Sequence, residues 1–185
     1  MFSTPQETYF STPEDTTFQV FPVRPAAVIA TTPPRTAIQE ALYTYGNAAG
    51  AYIQFYEQTH RNDAVIVENY YHARDSVKNA AALEQLGTDI KGVGLSLQKI
   101  QGIPTQAAAI HEALAGSYVD VGEKLITQTS TQNNADIIKA IGVYHDAVGI
   151  YIKNYVALVL IFSNNGVVFE SSDPGSVFMF TNAHI

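Results

Sequence analysis

Apolar residues recur at helical spacing over most of the chain, and this pattern predicts a mainly α-helical protein. The first amphipathic stretch opens at Thr36, and Gln39 three residues later completes a capping-box pattern. Its apolar stripe continues to about Thr59. We predict an up-and-down bundle of four to five helices over residues 36–163.

Further helices are predicted after the first. The second covers about residues 63–86 and stops at Gly87, and a shorter one covers 88–100. The next begins at Thr105 as its cap, and the last covers about 134–162. The final two turns of the last helix are apolar all round, so we expect them to be buried or covered.

Both chain ends differ from the helical part. Residues 1–35 hold six of the eight prolines and carry a repeated Phe-Ser-Thr-Pro octad that runs into the strand-like segment 18–21. Residues 164–185 are typical of a β-hairpin with strands at 167–170 and 177–180. We predict that the two ends form a small sheet over the apolar end of the last helix, all within a single domain.

A twelve-residue pattern, Y-x-x-A-x-G-x-Y-I-x-x-Y, occurs twice, 99 residues apart. Angular placement puts its tyrosines and alanines on the core-facing stripe and puts Gly50 and Gly149 off that stripe. We therefore interpret the copies as equivalent packing surfaces on adjacent helices. The alternative is an aromatic cleft for a glycan or flat ligand. The tyrosines concerned are Tyr45, Tyr52, Tyr56, Tyr144, Tyr151 and Tyr155.

Composition excludes several function classes. A net charge of −7 with only ten Lys and Arg argues against nucleic acid as a partner. The absence of cysteine removes disulfide scaffolds and thiolate chemistry. The N-terminus lacks a signal-peptide pattern, and the longest apolar run, 155–162, is too short for a predicted transmembrane segment. Low lysine content with abundant Thr, Ser, Asn, Gln and Tyr favours an extracytoplasmic or cell-surface location.

No catalytic motif is recognisable, so we predict neither an enzyme nor a cofactor. His72 can meet Glu68 on one helix face, and His145 adjoins Asp146, but paired Glu-x-x-His motifs are absent and no metal site is predicted. Gly46 with Gly50 forms a G-x-x-x-G pattern, which in a chain of this kind indicates close packing of a neighbour.

Three functions are compatible with these patterns. The leading hypothesis is a non-enzymatic structural or protein-interaction module, with a protein partner or self-association. The first alternative is a small-molecule-binding bundle with a tyrosine-lined pocket between the first and last helices. The second is a membrane-active bundle. Under the leading hypothesis, end-segment aromatics mediate assembly with neighbours or within the chain: Phe10, Phe18, Phe21, Phe169, Phe178 and Phe180.

Overall fold

The computed structural model describes residues 34–131 and 134–179, and the chain divides by its internal contacts after Pro33. This part of the chain is mainly helical, as predicted, with five α-helices and one 3₁₀ helix. The elements are α1 (Ala37–Thr59), α2 (Asp63–His72), α3 (Val77–Leu97), α4 (Thr105–Thr129), α5 (Asn134–Asn164) and the 3₁₀ helix (Pro174–Phe178).

The predicted capping box of α1 is confirmed. The Thr36 hydroxyl accepts a hydrogen bond from the Gln39 amide at 3.3 Å, and the Gln39 side-chain oxygen accepts one from the Thr36 amide at 2.9 Å. Gln39 also donates its side-chain amide to the carbonyl of Asn165 at 3.0 Å. Gln39 thus takes part in the N-terminal cap of α1 and also links this helix to the residue that follows α5.

The prediction of one helix from 63 to Gly87 is wrong. The helix is interrupted at residues 73–76. The Ser76 hydroxyl then caps α3 by accepting a hydrogen bond from the Asn79 amide at 3.3 Å. Gly87 lies inside α3, and a Cβ there would come within 2.7 Å of the Gly122 carbonyl oxygen. Gly87 is therefore a site of close helix contact and not a helix stop.

Helices α3, α4 and α5 run antiparallel to their neighbours. Lys91 on α3 pairs with Glu123 on α4 at 2.8 Å, and a Cβ on Gly94 would lie 2.6 Å from the Ala115 carbonyl oxygen. Asn154 on α5 donates to the Ala113 carbonyl of α4 at 3.1 Å. The glycines at the α3–α4 contact, Gly87, Gly94 and Gly122, leave no room for a Cβ and allow the two backbones to approach closely.

Two clusters of buried side chains hold the bundle together. The larger joins α1, α3, α4 and α5, and the smaller lies under α2, where the Tyr70 hydroxyl donates to the Gln128 carbonyl at 2.7 Å. The predicted burial at the end of α5 is confirmed at Leu158, Val159 and Phe162 but is wrong at Leu160, which is 50% exposed. Burial of aliphatic and aromatic side chains on this scale is the main favourable term in folding.

The C-terminal hairpin prediction is also wrong, since no β-strand forms within residues 34–131 and 134–179. The Asp173 carboxylate accepts from the Glu170 amide and from the Tyr43 hydroxyl, both at 2.8 Å, and so fixes a tight turn. Pro174 then begins the 3₁₀ helix, where its missing N–H costs nothing. Segment 18–21 lies outside the described residues, but the predicted sheet between the ends lacks its C-terminal strands, because residues 167–170 and 177–179 form none.

The Gly46–Gly50 pattern is explained by this C-terminal segment. A Cβ at Gly46 would come within 2.3 Å of the Phe169 ring, and one at Gly50 would come within 2.3 Å of the Pro174 carbonyl oxygen. The Gly175 amide donates to the Asn47 side chain at 2.9 Å. The two glycines therefore form a groove on α1 that receives residues 169–175, as the expectation of close packing required.

Candidate functional site: a tyrosine-lined cavity and the outward face of α5

The repeat tyrosines do not share one environment. Tyr45 is buried, and its hydroxyl lies 2.9 Å from His111 Nδ1. Burial raises the pKa of Tyr45 and lowers the pKa of His111, so a neutral imidazole faces a protonated phenol. The prediction that Tyr52 is buried is wrong, because 43% of it is exposed. The other four are partly buried: Tyr56, Tyr144, Tyr151 and Tyr155.

The two copies of the repeat are consequently not equivalent packing surfaces. Gly50 is buried under the C-terminal segment, whereas its counterpart Gly149 is exposed, and a Cβ added there would meet nothing within 4 Å. Ala48 is exposed, whereas Ala147 is buried. The shared residue pattern gives both helices similar stripes, but α1 buries its glycine face and α5 turns the corresponding face outward.

A cavity of about 210 Å³ lies among α1, α3, α4 and α5. Three apolar residues contribute to its wall: Ile90, Val121 and Val148. The remaining lining residues are four tyrosines and one acid: Tyr56, Tyr118, Tyr144, Tyr151 and Glu57. The seam between α1 and α5 is therefore open at this point, but the cavity is smaller than the roughly 300–1,000 Å³ typical of ligand pockets.

Two carboxylates, those of Glu57 and Asp63, lie beside this cavity. Tyr56 donates its hydroxyl to Asp63 Oδ2, and burial together with this bond and the Asp63 charge raises the pKa of Tyr56. The other carboxylate oxygen of Asp63 is buried with no hydrogen-bond partner among the described residues. Glu57 is an exposed residue at the mouth, and burial of part of its side chain raises the pKa of its carboxyl.

Two of the lining tyrosines support each other. The Tyr118 and Tyr151 hydroxyls are 3.1 Å apart, and their rings meet edge to face with centroids 4.8 Å apart. Burial raises the pKa of both phenols, so both hydroxyls stay protonated at neutral pH. Tyr155 instead donates to the Val177 carbonyl and fastens α5 to the C-terminal segment.

The predicted interaction aromatics that the structure describes are core residues. Phe169 and Phe178 are both buried, and their rings pack on Phe162 with centroids 5.2 and 5.1 Å away. Both rings are packed within the chain, and a part in assembly stays a prediction. Phe10, Phe18, Phe21 and Phe180 lie outside the described residues.

The outward side of α5 exposes apolar side chains on two flanks, with Asp146 and Lys153 between them. It carries six exposed large apolar side chains: Ile138, Ile141, Val143, Ile150, Ile152 and Leu160. By length and composition the stretch Ala135–Asn164 would suffice to cross a membrane, with a mean hydropathy of 1.4 and 22% of its most apolar window buried. One such helix is a weak indicator, because core helices of water-soluble proteins can meet the same criteria. The absence of a membrane-spanning segment therefore stays a prediction.

The histidines form isolated pairs. His72 Nε2 lies 3.6 Å from Glu68, and both side chains are exposed. His60 Nε2 lies 3.0 Å from Asp89, a contact between α1 and α3 that sequence reasoning missed because 29 residues separate the partners. Within 34–131 and 134–179, no group of three or more potential His or acidic metal ligands converges.

Sequence reasoning also missed Glu57 and Tyr118 as parts of the cavity. Helical periodicity places Tyr118 on the core stripe of α4, but its position opposite α5 depends on helix packing that periodicity does not give. A scan against models of known protein families matched none, and searches of curated proteins and of solved structures found no significant similarity.

Proposed function

We propose that this protein is a non-enzymatic interaction module that pairs with a second copy of itself through the outward face of α5. The apolar side chains exposed on that single helix carry the proposal, with Ile138 72% exposed and Ile152 52% exposed on the same face. Contiguous exposed apolar surface on a folded domain is typical of an interaction site.

The spacing on this face suits a neighbouring helix. Ile138, Gly142, His145, Gly149 and Ile152 follow one another at alternating steps of four and three residues, the spacing of a helix-pairing seam. A Cβ at either glycine would meet nothing within 4 Å. Each glycine costs an exposed helix about 1 kcal/mol relative to alanine, and a close partner helix offsets that cost.

Charge complementarity favours a second copy as the occupant. Asp146 and Lys153 are exposed on one edge of the face, and neither has an ion-pair partner within the described part of the chain. They lie seven residues apart, about 10 Å along the helix. An antiparallel copy of α5 that crosses near Gly149 brings Asp146 opposite the partner's Lys153, and two-fold symmetry repeats this pair.

A charge-swap series tests the pairing by sedimentation equilibrium. We expect the wild-type chain to dimerise and Asp146→Lys to weaken the dimer at least about tenfold, because like charges then face each other. The double variant Asp146→Lys/Lys153→Asp should restore the wild-type constant. Glu84→Lys, on an exposed position of α3, changes the net charge equally and should have little effect.

A wild-type chain with a dimer dissociation constant weaker than about 1 mM contradicts the proposal. Failure of the double variant to recover argues against this antiparallel register.

The apolar length of α5 also favours a second candidate, a membrane-active bundle. Dye release from anionic vesicles by a chain that is monomeric in sedimentation would support this candidate against self-pairing. An extracytoplasmic location is proposed on composition alone. Fractionation of the native host that recovers the protein in the cytoplasm would contradict it.

A further inference from the structure

The cavity between α1 and α5 has aromatic walls that meet at steep angles. The Tyr118 and Tyr151 rings lie at 66° to each other, with Tyr144 and Tyr56 on the same cavity. Aromatic faces carry partial negative charge, and several of them around one small space attract a cation. The volume of about 210 Å³ limits the occupant to a small molecule.

Carboxylates outnumber the titratable cation near this cavity, which is His60, stacked on Tyr56 with ring centroids 4.3 Å apart. Glu57 lines the mouth, and Asp63 is held next to the cavity by the Tyr56 hydroxyl. No lysine or arginine is among the described residues that line it. The nearby His60 is engaged by Asp89. Glu57 is exposed and solvated without an ion-pair partner among the described residues, but a cation bound in the cavity would pair with it, whereas an anion would be repelled.

We propose that this cavity binds a small organic cation of the quaternary-ammonium class, held by the rings of Tyr56, Tyr144 and Tyr151 and by the carboxylate of Glu57. The ammonium group sits against the rings, and Glu57 faces it from the mouth. The hydrogen-bonded hydroxyls of Tyr118 and Tyr151 keep these rings in place. The site is independent of α5 pairing, because its α5 residues point inward.

Choline and its neutral carbon isostere 3,3-dimethylbutan-1-ol provide the test. Binding of each compound to the wild-type chain is followed by NMR, from the shifts of the tyrosine ring signals. We expect saturable binding of choline and at least about tenfold weaker binding of the isostere, because both cation–π attraction and the carboxylate require positive charge. Equal affinity for the two compounds, or no saturable choline binding, overturns the proposal.

Two matched pairs of variants locate the site. Glu57→Gln and Tyr144→Leu should each weaken choline binding at least about fivefold. Glu84→Gln, an exposed acid on α3, and Tyr52→Leu, an exposed tyrosine on α1, should leave it unchanged. Equal losses in the cavity variants and their controls also overturn the proposal. The wild-type comparison of the two compounds is decisive even if Tyr144→Leu misfolds.

Discussion

Replacement of Gly50 by alanine tests how the C-terminal segment is held on α1. The added Cβ would lie 2.3 Å from the Pro174 carbonyl oxygen, 2.6 Å from its carbonyl carbon and 2.8 Å from the Gly175 nitrogen, whereas ordinary contact begins at 3.4 Å. These are backbone atoms, so no side chain can rotate away. The 3₁₀ helix must move by about 1 Å or detach.

The magnitude follows from opposing terms. Overpacking of this kind costs about 1–3 kcal/mol, and displacement weakens the Gly175–Asn47 hydrogen bond, worth about 1 kcal/mol. Alanine in a helix interior returns about 1 kcal/mol relative to glycine. We therefore expect Gly50→Ala to lower the free energy of unfolding by about 1–3 kcal/mol.

Urea unfolding followed by circular dichroism at 222 nm measures the effect, since the chain has no tryptophan. Gly116→Ala is the matched control, because Gly116 is an exposed residue of α4 where a Cβ meets nothing within 4 Å. The free energy of unfolding of Gly116→Ala should be higher than that of the wild type by up to about 1 kcal/mol. If Gly50→Ala is as stable as Gly116→Ala, the groove on α1 does not bind the C-terminal segment as described.

Three further predictions concern the core residue Phe178 and the histidines His111 and His60. Phe178→Ala should cost about 3–5 kcal/mol of unfolding free energy and the exposed Val168→Ala less than about 0.5, measured by the same urea titration. Burial lowers the pKa of His111 from 6.5, so its contribution to stability should be lost as the pH falls below 6.5, and His111→Gln should flatten that slope. Burial acts to lower the pKa of His60, but hydrogen bonds to Asp89 and to the Tyr56 carbonyl, with the charges of Asp63 and Asp89, raise this pKa overall. His60 should therefore contribute up to about 1 kcal/mol to the free energy of unfolding below pH 6.5, and this contribution should disappear as the pH rises above that value. In Asp89→Asn this pH dependence should be absent.

The helical part of the fold is largely predictable from sequence. The capping residues at Thr36 and the apolar period of α4 and α5 are local signals, and the structure follows them. The prediction of a stop at Gly87 is wrong because glycine ends helices and also permits close helix contacts. Only the position of Gly122 on the facing helix distinguishes these two roles.

The C-terminal segment and the cavity are harder to predict. Apolar residues at 167–169 and 177–179 suit either a hairpin or an irregular segment packed in a groove. The hydrogen bonds of the Asp173 side chain and the groove at Gly46 and Gly50 favour the irregular segment packed in the groove. The cavity requires Glu57 and Tyr118 from different helices, and no sequence spacing relates residues brought together only by packing.

The antiparallel pairing of α5 is tested most directly by a disulfide cross-link. The natural chain has no cysteine, so Gly149→Cys introduces a single thiol where the two-fold axis should pass. Two such residues near the crossing point come within the Cα separation of about 5.5 Å that a disulfide needs. We predict rapid formation of a covalent dimer under mild oxidation. If Gly149→Cys dimerises no faster than Gly116→Cys on α4, the outward face of α5 does not pair in this way.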